Sequence, residues 1–206
     1  MARPTLTESE VEFVRERVCE AARDLFAKQG LDNVGLRTIA SEVGLTGAAL
    51  YRYFPQGREE IIAAVRARAF RKLADLSELA VAGSGTALER FRAVAQAYVA
   101  FAHNDTVSYR MLFSLMQTGD FPELRKEARR ARDILFQAAQ QAAHSQDPNA
   151  EGRVLAHVAW AAIHGAVMLD TSEMLQMGVD IKQLVDGIAR ALSHLSGPSK
   201  TTSQFL

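Results

Sequence analysis

The chain has 206 residues, with 24 Lys plus Arg against 24 Asp plus Glu and 48% apolar side chains. Zero net charge excludes recruitment to nucleic acid or an acidic partner by bulk charge, so any basic site must be local. The apolar fraction supports a sizeable core in one or two domains. The single cysteine, Cys19, excludes an internal disulfide and suits a reducing compartment.

Residues 1–12 alternate polar and acidic positions around no apolar centre, so no secretory leader is expected there. The least polar long stretch, Leu155–Leu169, is too short at 15 residues to span a bilayer and carries His157 and His164. No membrane partner and a cytoplasmic location are expected.

Helical periodicity then runs the length of the chain. Val14, Val18, Ala21, Ala22, Leu25 and Phe26 recur at three- and four-residue steps and predict a helix over 7–29. Thr7 and Glu10 stand at capping-box spacing before it, and Gly30 stops it. Short helices follow at 36–43 and 47–53, parted by Gly44 and ended by Pro55 and Gly57. A long helix over 58–80 runs to Gly83-Ser84-Gly85. Leu88, Phe91, Val94, Ala95, Tyr98 and Ala102 mark the next, to about His103. Ser108–Gln117 is a short helix stopped by Gly119, and Pro122 opens another that reaches Ser145. Glu151–Met177 reads as a long helix of small residues. Ile181, Leu184, Val185, Ile188, Leu192 and Leu195 mark the last, before a frayed polar tail over 197–206. The expectation is an all-α chain of nine helices with no competing strand and no internal repeat.

The window 36–55 has helix-turn-helix spacing. Ala40 is small where two helices cross closest, Gly44 tolerates positive φ in the turn, and Ile39, Val43, Leu45 and Leu50 point inward. That motif lays its second helix in the major groove. Thr46 is the N-cap candidate at that helix's start, where phosphate is favoured. Gly47, Ala48 and Ala49 are small enough to let the backbone near base edges. Tyr51, Arg52 and Tyr53 carry hydroxyls and a cation toward bases or phosphates, with Arg37 and Arg58 flanking them. Over 37–58 the three arginines face only Glu42, a modest local charge that calls for two copies of the site. The competing reading pairs Arg37 with Glu42 and makes Tyr51 and Tyr53 half-buried aromatics. Leu50 and Phe54 are core on either reading.

Residues 12–62 resemble the DNA-binding domain of the tetracycline-repressor (TetR) family. The resemblance is carried by "CEAARDLFAKQG", "LRTIASEVGLTGAALYRYF" and "REEII". It implies a helix-turn-helix head over 1–57, a helical ligand-binding and dimerisation body over 58–196, and a homodimer on palindromic double-stranded DNA. It implies base contacts for Arg37, Gly47, Ala48 and Arg52, and phosphate contacts for Thr46, Tyr51, Tyr53 and Arg58. Gly35 stands where the family has a capping serine or threonine, Arg58 stands for a lysine, and "FPQGRE" carries one extra residue. "YRMLF" at 109–113 and "WAAIHGAVML" at 160–169 resemble the body subtype marked by a Trp…His-Gly signature.

Within that body, Tyr98, Phe101, Met111, Phe113, Met116, Phe121, Trp160, His164 and Met168 are the candidate walls of an apolar effector pocket. Ala161 and Gly165 allow close helix approach, and Ile181, Leu184, Ile188 and Leu192 form an apolar stripe. The last two helices of each subunit are therefore the expected dimer interface. His157 and His164 share a helix face without a further ligand at suitable spacing, so no metal or cofactor is expected. No phosphate loop or nucleophile elbow is present, which argues against an enzyme. The reading that remains is a ligand-responsive regulator, a repressor by family habit. Its alternative is a helical binding protein with a vestigial head.

Overall fold

The computed structural model describes residues 7–113, 119–145, 147–149, 151–175 and 178–194. Among them are nine α-helices and no strand: α1 Glu8–Gln29, α2 Leu36–Glu42, α3 Gly47–Leu50, α4 Arg58–Ala82, α5 Ala87–Asn104, α6 Thr106–Phe113, α7 Pro122–His144, α8 Gly152–Thr171 and α9 Ile181–His194. The tail expected over 197–206 lies outside the described residues.

Local chemistry sets most of these boundaries. At the start of α1 the Thr7 side chain accepts from the Glu10 amide at 3.3 Å, and the Glu10 carboxylate accepts from the Thr7 amide at 2.8 Å. Thr86 and Glu89 repeat this box ahead of α5. These bonds hold both glutamate carboxyls below their ordinary range. Three elements differ from expectation. A 3₁₀ turn, Leu31–Asn33, bridges α1 and α2. The α-helical part of α3 stops at Leu50, and the chain continues through Tyr53 by tighter bonds from Arg52 to Ala49 and from Tyr53 to Leu50. The helix expected to reach Met177 ends at Thr171, because Glu173 turns left-handed at φ 56°. The amides of Met174 and Glu173 then return to the carbonyls of Leu169 and Asp170, closing the end without a glycine.

The chain divides into two compact units, neither continuous in sequence: Met1–Arg71 with Val107–Ala128, and Lys72–Thr106 with Arg129–Leu206. This differs from a division at 57/58, since α6 and the start of α7 count with the helix-turn-helix. In the first unit Val18, Ala22, Phe26, Ile39, Leu50, Phe54 and Ile61 form one core, and Met111 of α6 belongs to it. Phe121 and Leu124 pack on Ala63 and Ala67 of α4. Leu50 and Phe54 are fully buried, and burial of such side chains contributes about 1.5–3 kcal/mol each. Cys19 is buried in the same core, and desolvation pushes its thiol up to about 11, which leaves it unreactive.

In the second unit α5, α8 and α9 pack on one another. Buried Phe91, Val94, Phe101, Ala156, Ile163, Val167, Val185 and Leu192 fill that unit. Among the described helices, α8 is long and apolar enough to cross a membrane by length and composition, at 20 residues and mean hydropathy 1.3. It is thus longer than the 15-residue apolar stretch suggested. Its contacts with α5 and α9 account for its buried side as a core helix of this unit.

Candidate nucleic-acid interface

The recognition region is built from α2, its turn and α3. The Gly44 amide returns to the Ser41 carbonyl and the Leu45 amide to the Ala40 carbonyl, with Gly44 at φ 72°. That left-handed step redirects the chain between the helices and is costly for any residue with a Cβ. Thr46 then caps α3, its hydroxyl accepting from the Ala49 amide at 3.1 Å. Leu50 and Phe54 anchor the inner side, and the opposite side is left outward.

That outward side gathers most of the residues singled out for DNA. Ala48, Arg37 and Arg52 are exposed, and Tyr51 is 54% exposed. The stem of Arg37 passes beside Gly47, where an added Cβ would lie 3.9 Å from the Arg37 Cγ. Among the described residues neither Arg37 nor Arg52 has a hydrogen-bond or ion-pair partner, so the suggested pair with Glu42 does not form. Tyr53 is half-buried against the head core.

Two arginines brace this surface from behind. Arg15 of α1 donates to the Tyr53 carbonyl, pairs with Glu60 at 3.0 Å, and lies 4.3 Å from the centroid of the Phe54 ring. Its part was not legible from sequence, because its partners lie 38 and 45 residues away. Arg58 turns inward: Nε donates to the Val34 carbonyl at 2.9 Å and Nη2 to the Leu31 carbonyl at 2.6 Å. Gly35, the N-cap of α2, supplies no side-chain bond.

The nine candidate pocket residues are divided. Met111, Phe113 and Phe121 fall in the first unit, where Phe113 meets Phe70 and Tyr109 edge-on at 6.3 and 5.4 Å. Met116 lies outside the described residues. The other five fall in the second unit. There the Tyr98 hydroxyl is 3.0 Å from Nδ1 of His164, and Phe101 is buried on the inner side of α5. The Trp160 ring lies 6.2 Å from His164, and Phe136 of α7 meets both Trp160 and His157. Phe136 was missed by the sequence reading, since one aromatic among helical apolar positions gives no signal of its own. Burial holds the His164 imidazole below its ordinary pKa. Met168 is 44% exposed on the outward side of α8.

Of the candidate interface residues, Ala161 is exposed, and Gly165, Ile181, Leu184 and Ile188 are half-buried. Leu192 is a correction: at 2% exposure it belongs to the core of its own unit. Among the described residues, no group of three or more His, Cys, Asp or Glu stands where it could hold a metal ion. His157 turns its Nδ1 to the Arg153 carbonyl at 2.7 Å.

A helix-turn-helix with unpartnered cations on its outer side is the form of a DNA-binding regulator. Comparison with known proteins gives the same answer. Residues 18–65 match the family model described as "Bacterial regulatory proteins, tetR family", and residues 91–192 match "Tetracyclin repressor-like, C-terminal domain". The chain belongs to the TetR family of transcriptional regulators, and its N-terminal domain binds DNA. The Trp…His-Gly subtype remains a resemblance carried by Trp160, His164 and Gly165. The chain is similar to the uncharacterized HTH-type transcriptional regulator Rv0681 of Mycobacterium tuberculosis, at 26% identity over 191 residues, 87% of this chain and 84% of that protein. Its fold is similar to that of a protein of unknown function from Rhodococcus sp. RHA1, with TM-score 0.76, 24% identity, and 88% and 94% of the two chains covered. It is also similar to a TetR/AcrR family regulator from Thermobifida fusca, with TM-score 0.60, 20% identity, and 88% and 97% covered.

Proposed function

We propose that the protein is a ligand-responsive repressor that binds palindromic operator DNA as a cytoplasmic homodimer and is released by a small, largely apolar effector. The observation that carries this reading is the outward side of α2 and α3. Exposed Arg37 and Arg52 flank the small Gly47 and Ala48 there, and no described protein group neutralises either cation. Arg37 and Arg52 read bases, Tyr51 and Tyr53 reach phosphates or base faces, and Thr46 holds the start of α3 against the backbone. With so few side chains for direct readout, DNA shape supplies the rest of the specificity.

The dimer reading rests on α8 and α9. Val154, Val158, Ala161, Gly165, Met168 and Leu169 recur at helical spacing along the outward side of α8 and are exposed or half-buried. Ile181, Leu184 and Ile188 of α9 extend the apolar character. Two such surfaces facing about a two-fold axis would bury one another and space the heads by about 34–36 Å, one turn of DNA, or a longer span on the same face. An effector that binds one body conformation better than the other shifts DNA affinity by its differential affinity and no more. Tyr98 and His164 supply polar tips beside the buried apolar side chains of the second unit.

Selection of bound duplexes from a random pool, followed by titration of the winners across salt, tests the reading. A two-fold symmetric, salt-sensitive site bound by a dimer is the expected result. Absence of any sequence preference would leave the helical binding protein with a vestigial head.

A further inference from the structure

We propose that Arg58 is the positioning residue of the DNA-reading head: it holds the turn that launches α2 and so replaces the side-chain cap that Gly35 lacks. The inference rests on the DNA-binding reading above and departs from a phosphate-contacting role for this side chain.

The geometry is specific. One guanidinium spans two carbonyls three residues apart, with Nε on Val34 at 2.9 Å and Nη2 on Leu31 at 2.6 Å, while Nη1 pairs with Glu59 at 3.3 Å. Both carbonyls belong to the segment between α1 and α2. Leu31 opens a single 3₁₀ turn, and among the described residues its carbonyl otherwise receives only the Val34 amide at 3.3 Å. Val34 is buried against the head core, so this turn cannot swing into solvent without exposing it. Backbone carbonyls in such places need a partner, and Arg58 provides two bonds from a rigid fork.

The same segment lacks its usual support. α2 has seven residues, too few to hold themselves by backbone bonds alone. Gly35 sits at its N-cap with extended backbone, φ −90° and ψ 166°, and a Cβ added there would meet nothing within 4 Å. Neither space nor backbone conformation demands the glycine, so a hydroxyl is absent where one would fit. Arg37 lies in the first turn of α2, its stem beside Gly47 of α3. Whatever fixes the start of α2 fixes where Arg37 meets DNA. Lysine at 58 would keep the charge but not the fork, because one ammonium is a point donor on a flexible stem.

The experiment uses the full chain with Arg58→Lys, Arg58→Met and Gly35→Ser, singly and with Gly35→Ser added to Arg58→Met. Affinity for the selected duplex and for a scrambled one is followed by fluorescence anisotropy across salt. Amide hydrogen exchange of residues 36–39 is read relative to α1. The expected result is that Arg58→Lys and Arg58→Met both lose about tenfold or more in selective affinity. The slope against salt stays at the wild-type value, exchange in α2 accelerates in both, and Gly35→Ser slows it again in the Arg58→Met background. Wild-type binding by Arg58→Lys, with a slope lowered by about one in Arg58→Met, would mark a phosphate contact and overturn the proposal. If the wild-type chain shows no selective binding, the regulator reading fails. The exchange measurement still decides the clamp: unchanged α2 exchange in Arg58→Lys overturns it.

Discussion

The ring of Tyr51 lies against Gly57: a Cβ at 57 would sit 3.2 Å from the ring's Cε1 and 3.5 Å from its hydroxyl. Gly57 is also left-handed, at φ 65°. The turn after α3 is therefore both a chain reversal and a rest for an exposed aromatic of the reading surface. Gly57→Ala should destabilise the protein by about 1–2 kcal/mol from the backbone conformation alone and push the Tyr51 ring from its seat. Chemical denaturation measures the first effect, and loss of DNA affinity beyond that of Tyr51→Phe measures the second. Unchanged stability and affinity would mean that the turn tolerates a side chain and that Tyr51 is not positioned by it.

The proposed direct readout rests on Arg37 and Arg52, both exposed on the outward side of α2 and α3. Replacing either with alanine should cost about 1–3 kcal/mol against the selected duplex and relax the preference at one position in each half-site. Neither arginine has a protein partner among the described residues, so folding stability should stay within about 0.5 kcal/mol of wild type. Equal weakening on selected and scrambled duplexes would assign both side chains to the phosphate backbone.

How far the sequence alone reaches depends on the distance between interacting partners. Thr7 with Glu10, Thr46 with Ala49, Pro122 and Gly44 act within five residues, and each marked its boundary correctly. The end of α8 was misplaced because Glu173, not a glycine, takes the left-handed position. Arg58 with Leu31 and Val34, and Arg15 with Tyr53, act across 24 to 38 residues. Charge pattern marked Arg58 as a candidate for DNA but could not show which way it turns, and it gave Arg15 no role. The aromatic residues of the body posed the same difficulty. Periodicity marks a ring as inward, and only packing separates Phe113 beside Phe70 from Tyr98 beside His164.

His164 makes the stability of the body depend on pH. Burial holds its imidazole below the ordinary value of 6.5 in the folded chain. Above that value both states are neutral and nothing is lost. As pH falls through 6.5 the unfolded chain takes up the proton first, so stability declines until the folded pKa is also passed. Thermal melts between pH 8 and pH 5 should show this decline. His164→Gln, which keeps a polar group for the Tyr98 hydroxyl, should flatten it. A His164→Gln variant with the wild-type pH profile would place the titrating group elsewhere.

Gly165 offers the sharpest test of the proposed dimer. It lies on α8 among the outward small residues, and a Cβ there meets nothing within 4 Å inside one subunit. In an isolated subunit a longer side chain at 165 would therefore point into open space. It would also gain about 1 kcal/mol of helix propensity over glycine. Across a two-fold interface the same side chain would meet the apolar surface of the partner subunit, where a buried carboxylate has no partner. Gly165→Glu should therefore keep its helical circular dichroism while sedimenting as a monomer, and its operator affinity should fall toward that of a single half-site. Gly165→Ala, with only a methyl added, should remain dimeric. A Gly165→Glu protein that still sediments as a dimer would move the interface off this side of α8, and Leu184→Glu on α9 would then show whether that helix carries it alone.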